Sequence, residues 1–216
     1  AATGFKPGNP DFCKKGSDHP SAKVFPLDSS ARRIAMYDPK TKTYTPYQTC
    51  FQTHHLNFGY DKDNTVWGSG GGQVLGWLNT RVLLQTGDVK KAQGWTPLIL
   101  DTNGNGKRDE WVEPNQPVDP KKDKRIIASF YAVMPAMDGS VWGTLRSNPG
   151  AVVRVVPGAN PSETAIAEIY NVPAPGFGPR GGDIDKNGVV WTSLASGHLG
   201  SFDRRECKGP LNGPNA

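Results

Sequence analysis

Gly182-Asp183-Ile184-Asp185-Lys186-Asn187-Gly188-Val189-Val190-Trp191 reads as a hairpin: an acidic turn tipped by Asn187-Gly188, then a β-branched run ending in Trp. Asn-Gly supplies the positive φ that a tight hairpin turn needs, and Val-Val-Trp suits a buried strand. The pattern occurs twice more, in Tyr60-Asp61-Lys62-Asp63-Asn64-Thr65-Val66-Trp67 and in Met137-Asp138-Gly139-Ser140-Val141-Trp142. Each copy has a polar turn pair, one spacer, then Val-Trp. Three matches with Trp in the same place mark a repeat protein.

A second hairpin follows at a fixed offset. Asp203 lies twelve residues after Trp191, in Leu199-Gly200-Ser201-Phe202-Asp203, and Asn79 lies twelve after Trp67, in Val74-Leu75-Gly76-Trp77-Leu78-Asn79. The segment Ile34-Ala35-Met36-Tyr37-Asp38 has the same shape, with Phe25 standing where Trp stands in the other copies. The turn-closing positions 38, 79, about 158 and 203 are 41, 79 and 45 residues apart. A period of about 40–45 residues with four strands per unit marks a propeller blade. The longer gap holds either a degenerate blade or an insertion.

The motif Asp-x-Asn-Gly-x-Val-Trp at 185–191, followed by Gly-x-Leu-x-x-Phe-Asp at 197–203, resembles the blades of the streptogramin lyase (virginiamycin B lyase) type of β-propeller. Similar units occur in NHL and sensor propellers. The resemblance covers most of residues 25–208 at blade level. It implies an all-β fold of four-stranded antiparallel blades. It also implies a search for His and Glu near a central channel, because lyases of that type open a cyclic ester by elimination with a divalent metal such as Mg²⁺. His198, His55 or His54, Glu168 and Arg180 are the groups available, and no His-x-Glu pair aligns with the family's site. The repeated residues build turns and fill space between blades, so they speak to architecture and not to function.

At 216 residues the chain can bury a good core, and 26 Gly, 19 Pro and six Trp fit a loop-rich β protein. Four blades, or five with a degenerate one, account for the length. The expectation is a partial ring over a small closed propeller, with the remainder of the propeller or another protein chain as partner. Residues 1–24 read as an N-terminal arm, 25–216 as blades, and about 88–125 as an inserted region. Ser162–Tyr170 is a weak helix candidate that also alternates from Ala165 to Tyr170, and in a propeller it reads as a strand. Pro173–Gly182 is rich in Gly and Pro, and brings backbone close to a neighbouring blade or a ligand.

Cys13, Cys50 and Cys207 form an odd set without CxxC spacing. Cys13 and Cys50 flank the first hairpin and can staple the arm to it, whereas Cys207 needs a partner beyond Ala216 or in another chain. The alternative is three buried thiols. A disulfide means folding outside the reducing cytosol, and no stretch approaches a membrane span of about 18–20 apolar residues. A secreted or periplasmic protein fits best. Net charge is +5, but the basic residues are scattered, and the densest run, 121–125, lies among Pro and Asp. No basic face interleaved with aromatics suggests nucleic acid.

The clearest chemical motif is Asp101-Thr102-Asn103-Gly104-Asn105-Gly106-Lys107-Arg108-Asp109-Glu110. Oxygen side chains at positions 1, 3 and 5, Gly at 6 and a backbone carbonyl at 7 follow an EF-hand-type calcium loop. Val112 stands where the closing Glu belongs, so the acid falls to Asp109 or Glu110. The expected ligands for a structural Ca²⁺ are Asp101, Asn103, Asn105, the Lys107 carbonyl, and Asp109 or Glu110. The alternative is an Asn-Gly-Asn-Gly turn without metal.

Three functions stay open. The bland one is a rigid binding platform; the others are a lyase-like enzyme using His198 and His55, and a structural subunit of an extracellular assembly. Two adjacent histidines on one strand point to opposite faces, so His54 and His55 are not expected to act together. Gly70-Gly71-Gly72 has the glycines of a phosphate loop but no following Lys-Ser/Thr.

Overall fold

The computed structural model describes residues 8–30, 33–69 and 73–207. The Gly70-Gly71-Gly72 run and residues after Cys207 lie outside them. The chain is mostly β, and its helices are short. A hairpin, β1 (Ile34–Asp38) and β2 (Thr43–Tyr47), stands first. A four-stranded antiparallel meander follows: β3 (Leu56–Phe58), β4 (Thr65–Gly68), β5 (Val74–Asn79) and β6 (Gln93–Pro97). Three short strands come next: β7 (Ile99–Leu100), β8 (Trp111–Val112) and β9 (Asp123–Arg125). A second meander is built of β10 (Val133–Pro135), β11 (Val141–Leu145), β12 (Ala151–Val156) and β13 (Ile166–Asn171). A three-stranded meander closes the described chain: β14 (Pro179–Ile184), β15 (Val190–Leu194) and β16 (Leu199–Phe202). No sheet closes on itself. The first strands β3, β10 and β14 lie side by side, with β10 touching both others. This is a β-propeller-like arrangement.

The three Trp occupy the second strand of successive meanders. Three residues before each stands a residue in the left-handed region: Asn64 at φ 49°, Gly139 at 83° and Gly188 at 81°. Each of these donates its N–H to the carbonyl three residues earlier, of Asp61, Ala136 and Asp185. The turn signature in the sequence is therefore one turn built three times. Trp67 and Trp142 are buried beneath the following meander, Trp142 against Tyr170 and Phe202. Trp191 is 42 % exposed, because no later meander follows among the described residues.

A second repeated contact fills the first two meanders. The ring of Phe51 lies on Gly68 and Gly76, and that of Phe130 on Gly143. A Cβ at Gly76 or Gly143 would overlap those rings, so the absence of a side chain lets a buried Phe cross the strand face. Phe51 and Phe130 are 1 % and 4 % exposed.

Residues 8–30 pack onto the first meander. Cys13 and Cys50 form the disulfide, with Cα atoms 5.4 Å apart, and Cys207 is a half-buried free thiol. Asn9 Nδ2 donates to the carbonyls of Leu27 and Cys50. Trp95, fully buried, donates Nε1–H to the Phe25 carbonyl and stacks on His19 at 4.9 Å. His19 accepts from the Ser21 N–H at Nδ1, so its proton sits on Nε2, facing the carbonyls of Lys90 and Gln93.

Three expectations change. Phe25 follows a short helix (Pro20–Val24) and is not a strand counterpart of Trp. Asn79 opens no hairpin: its side chain caps the helix Thr80–Thr86, and a second helix, Val89–Ala92, intervenes before β6. The same residue type N-caps a helix wherever following N–H groups need an acceptor. Ser162–Thr164 turn as a helix, and the strand begins at Ile166. The Gly/Pro passage comes close to the neighbouring meander, as expected, where Gly178 N–H donates to the Pro149 carbonyl at 2.8 Å and Gly182 lies beside Met134, and it also packs on its own, Gly178 against Ala195.

Two outcomes test this packing. Gly143→Val should destabilise the protein by roughly 1–3 kcal/mol through overpacking against Phe130, read by chemical denaturation. Burial holds His19 below the ordinary imidazole range of 6.5, against the pull of the Gln93 and Lys90 carbonyls. The unfolded chain therefore takes up this proton first. Stability from His19 is complete above about pH 6.5 and is lost as pH falls toward the lower folded value. Melting temperature should drop between pH 7 and 5 in the parent and drop less in His19→Gln.

Candidate ligand-binding face

In a meander, the start of strand one and the turn between strands two and three fall at the same end. His54 and His55 precede β3, Tyr131 precedes β10, Arg180 sits near the start of β14, and Arg146 follows β11. Those residues meet. The Tyr131 ring lies 5.0 Å from His54 and 4.8 Å from His55, centroid to centroid. The guanidinium groups of Arg146 and Arg180 stand 5.2 and 6.0 Å from the Tyr131 centroid. Among the described residues neither arginine forms an ion pair. A cleft of about 540 Å³ opens beside them, lined by Gln52, His54, Ser129, Tyr131, Arg146 and Ser147.

Two buried hydroxyls fix this end. Ser69 donates to the Tyr131 carbonyl at 2.8 Å and accepts from the His55 N–H at 3.2 Å. Thr144 accepts from the Ala132 N–H at 3.0 Å and donates to the Arg180 carbonyl. Both hydroxyls stand two residues after the repeat Trp, as does Ser193, which bonds Gly181 within its own meander. Ser69 and Thr144 are fully buried, so each lashes one meander to the next. The signal was present in all three copies as Trp-x-Ser/Thr, but a hydroxyl in a strand is too common to be singled out.

The two histidines correct an expectation. They do not lie on a strand, because β3 begins at Leu56. The bend at 54–55 places both rings on the same residue, 4.3 Å apart. His198 stands in the turn after β15, at the same end of its meander, with Nδ1 3.0 Å from Ser196 Oγ. No contact joins it to His55. Glu168 is committed elsewhere, in a network linking the second and third meanders. Arg204 binds it through two bonds of 2.7 Å, Arg154 through one of 3.2 Å, and the Tyr170 hydroxyl donates at 2.7 Å. Burial and the Glu168 carboxylate push the Tyr170 phenol up. A second cavity of about 510 Å³ lies near this network, but its arginines are neutralised, Arg154 by Asp138 and Glu168, and Arg205 by Asp203.

The 101–110 loop is compact. Both carboxylate oxygens of buried Asp101 accept backbone N–H groups, Oδ1 from Gly104 and Asn105, Oδ2 from Gly106. The side-chain amides of Asn103 and Asn105 converge on Asp109 Oδ2 at 2.7 and 2.6 Å, and hold its carboxyl below the ordinary range. Glu110 faces away and pairs with Lys122 at 3.0 Å. Among the described residues no group of three or more His, Cys, Asp or Glu side chains stands in metal-holding geometry. Beneath the loop, Arg108 bonds Thr96, Ser162 and Ala165, and burial pulls its guanidinium down to about 10. β9 runs parallel to β8, and β7 pairs in parallel with β13. The segment thereby extends the second meander into a seven-stranded sheet.

Repeated antiparallel meanders with adjoining first strands and one shared turn define a β-propeller-like protein. Its structure is similar to that of streptogramin B lyase, at 13% identity and a TM-score of 0.46, over 80% of this chain and 48% of that one. It is also similar to PorZ, an essential bacterial surface component of the type-IX secretion system of Porphyromonas gingivalis, at 18% identity and a TM-score of 0.48, over 81% of this chain and 23% of that one. Virginiamycin B lyase from Staphylococcus aureus matches at 15% identity and a TM-score of 0.37, over 80% and 63%. The chain thus spans less than two thirds of each of these proteins. No protein-family model matches the sequence, and no curated protein matches it.

The Glu168 network gives a direct test. Glu168→Ala leaves Arg154 and Arg204 without their shared carboxylate in a half-buried site, and should cost about 3–5 kcal/mol. Denaturant titration should show the midpoint falling; an unchanged midpoint would remove the network from the interface between these meanders.

Proposed function

We propose that the protein is a secreted or periplasmic β-propeller-type platform that binds an anionic ligand at the Tyr131 end of its first strands. The observation that carries this reading is the pair of arginines, Arg146 and Arg180, held over Tyr131 without carboxylate partners among the described residues. An unpaired guanidinium beside a cleft is a ready partner for carboxylate, sulfate or phosphate, because it offers forked donors in a fixed plane. His54 and His55 add donors at the same place. The disulfide supports a compartment outside the reducing cytosol. No described helix is long and apolar enough to cross a membrane.

The blades form part of a ring, completed by further chain or by another protein, and the insertion lies after β6, the last strand of the first meander, and runs to about residue 125. Calcium bound in the 101–110 loop orders that insertion. Its polar sequence has little apolar surface with which to order itself.

Isothermal titration with inorganic sulfate, phosphate and a small uronate tests the anion site. Binding should weaken with salt, and the Arg146→Ala/Arg180→Ala double variant should lose about tenfold or more, as expected for charge-assisted hydrogen bonds of roughly 1.5–3 kcal/mol. Equal binding by the parent and the double variant would discard this face as the site.

A further inference from the structure

Asp123 is fully buried, yet its Oδ1 has no hydrogen-bond partner. It stands on β9, outside the 101–110 loop, and its Oδ2 accepts the Asp109 N–H at 2.7 Å. A buried carboxylate oxygen without a donor is costly, since nothing replaces the water it lost. Asp123 takes part in no ion pair among the described residues. The nearest charges include the carboxylates of Asp101 and Asp109, which oppose it, and Arg108, which offsets it only in part.

We propose that Asp123 is the missing closing ligand of the calcium site, supplied from the sheet instead of from loop position 12. This rests on the calcium reading above and sharpens its ligand set. The cage comprises Asp101, Asn103, Asn105, the Lys107 carbonyl, Asp109 and Asp123, while Glu110 stays with Lys122. The two asparagine amides converge on Asp109 Oδ2 through nitrogen while their oxygens accept the Asn105 and Lys107 N–H groups, and each of those oxygens keeps a second lone pair for an ion. Six protein oxygens leave room for one or two waters in a shell of six to eight. Three carboxylates with Arg108 alongside leave a surplus near −2, which matches a divalent ion. Because Asp123 lies on β9, which pairs with β7, the ion ties the loop directly to the seven-stranded sheet.

The test compares the parent with Asp101→Asn, Asp123→Asn and Glu110→Gln by calcium titration calorimetry and by melting with CaCl₂ or EGTA. The parent should bind one Ca²⁺, and Glu110→Gln should match it. Asp123→Asn should lose affinity about tenfold or more, because Ca²⁺ affinity follows the charge count of the ligands, while melting no lower than the parent in EGTA. Asn at 123 still accepts from Asp109 N–H and buries no charge. Calcium binding by Asp123→Asn at parental affinity, with Asp101→Asn defective, overturns Asp123 as a ligand but leaves the loop site standing. No calcium binding by the folded parent overturns the loop site and Asp123 together. Terbium luminescence lifetimes of the parent in H₂O and D₂O need no variant: one or two bound waters support the six-ligand cage, and four or more refute it.

Discussion

The structure depends on how one meander is fastened to the next, and that fastening is a buried hydroxyl two residues beyond Trp67 and Trp142. Ser69 reaches the Tyr131 carbonyl and Thr144 reaches the Arg180 carbonyl, both without solvent access. A buried hydroxyl cannot exchange its acceptor for water, so losing the bond costs about 1–3 kcal/mol of desolvation. The first strand of a blade has no earlier neighbour within its own sheet. Its carbonyls near the start are therefore available, and the preceding blade's hydroxyl takes them. Trp supplies apolar area across the same boundary, and the hydroxyl sets the register that area alone leaves free.

That fastening also places the candidate site. Tyr131 and Arg180 sit at the two carbonyls that receive the hydroxyls, so the scaffold bonds and the ligand face share residues. The Phe rings laid over Gly68, Gly76 and Gly143 allow this crowding, because they fill the blade from a position just before the first strand. Phe130 and Tyr131 are consecutive: one side chain goes into the core and the next faces the cleft.

Local chemistry was legible in the sequence, and departures from the repeat were not. The turn at Trp minus three was readable because few residues tolerate positive φ, so Asn64, Gly139 and Gly188 announce themselves. The disulfide was readable because only two cysteines flank one hairpin. Asn79 misled because its side chain serves a hairpin turn and a helix N-cap equally well; the choice falls to Leu83, buried beneath the helix. His54 and His55 misled because strand alternation was assumed two residues before the strand starts. Asp123 was invisible for a different reason. Its hydrogen-bond partner, the Asp109 N–H, lies 14 residues away, and parallel pairing of two-residue and three-residue strands leaves no periodic trace.

Charge is distributed unevenly between the two ends of the meanders, and net charge conceals it. At the turn end, Arg154, Arg204 and Arg205 are each matched to Asp138, Glu168 or Asp203. At the opposite end Arg146 and Arg180 share Tyr131 and two histidines, with no acid among their contacts. Paired arginines hold the blades together and have spent their donors. Unpaired ones retain theirs, and two like charges beside one ring oppose each other. The matched arginines stand at one end of the meanders, and the proposed ligand face lies at the other, at the mouth formed by the first strands. There a ligand can be reached without disturbing the bonds that hold the sheets.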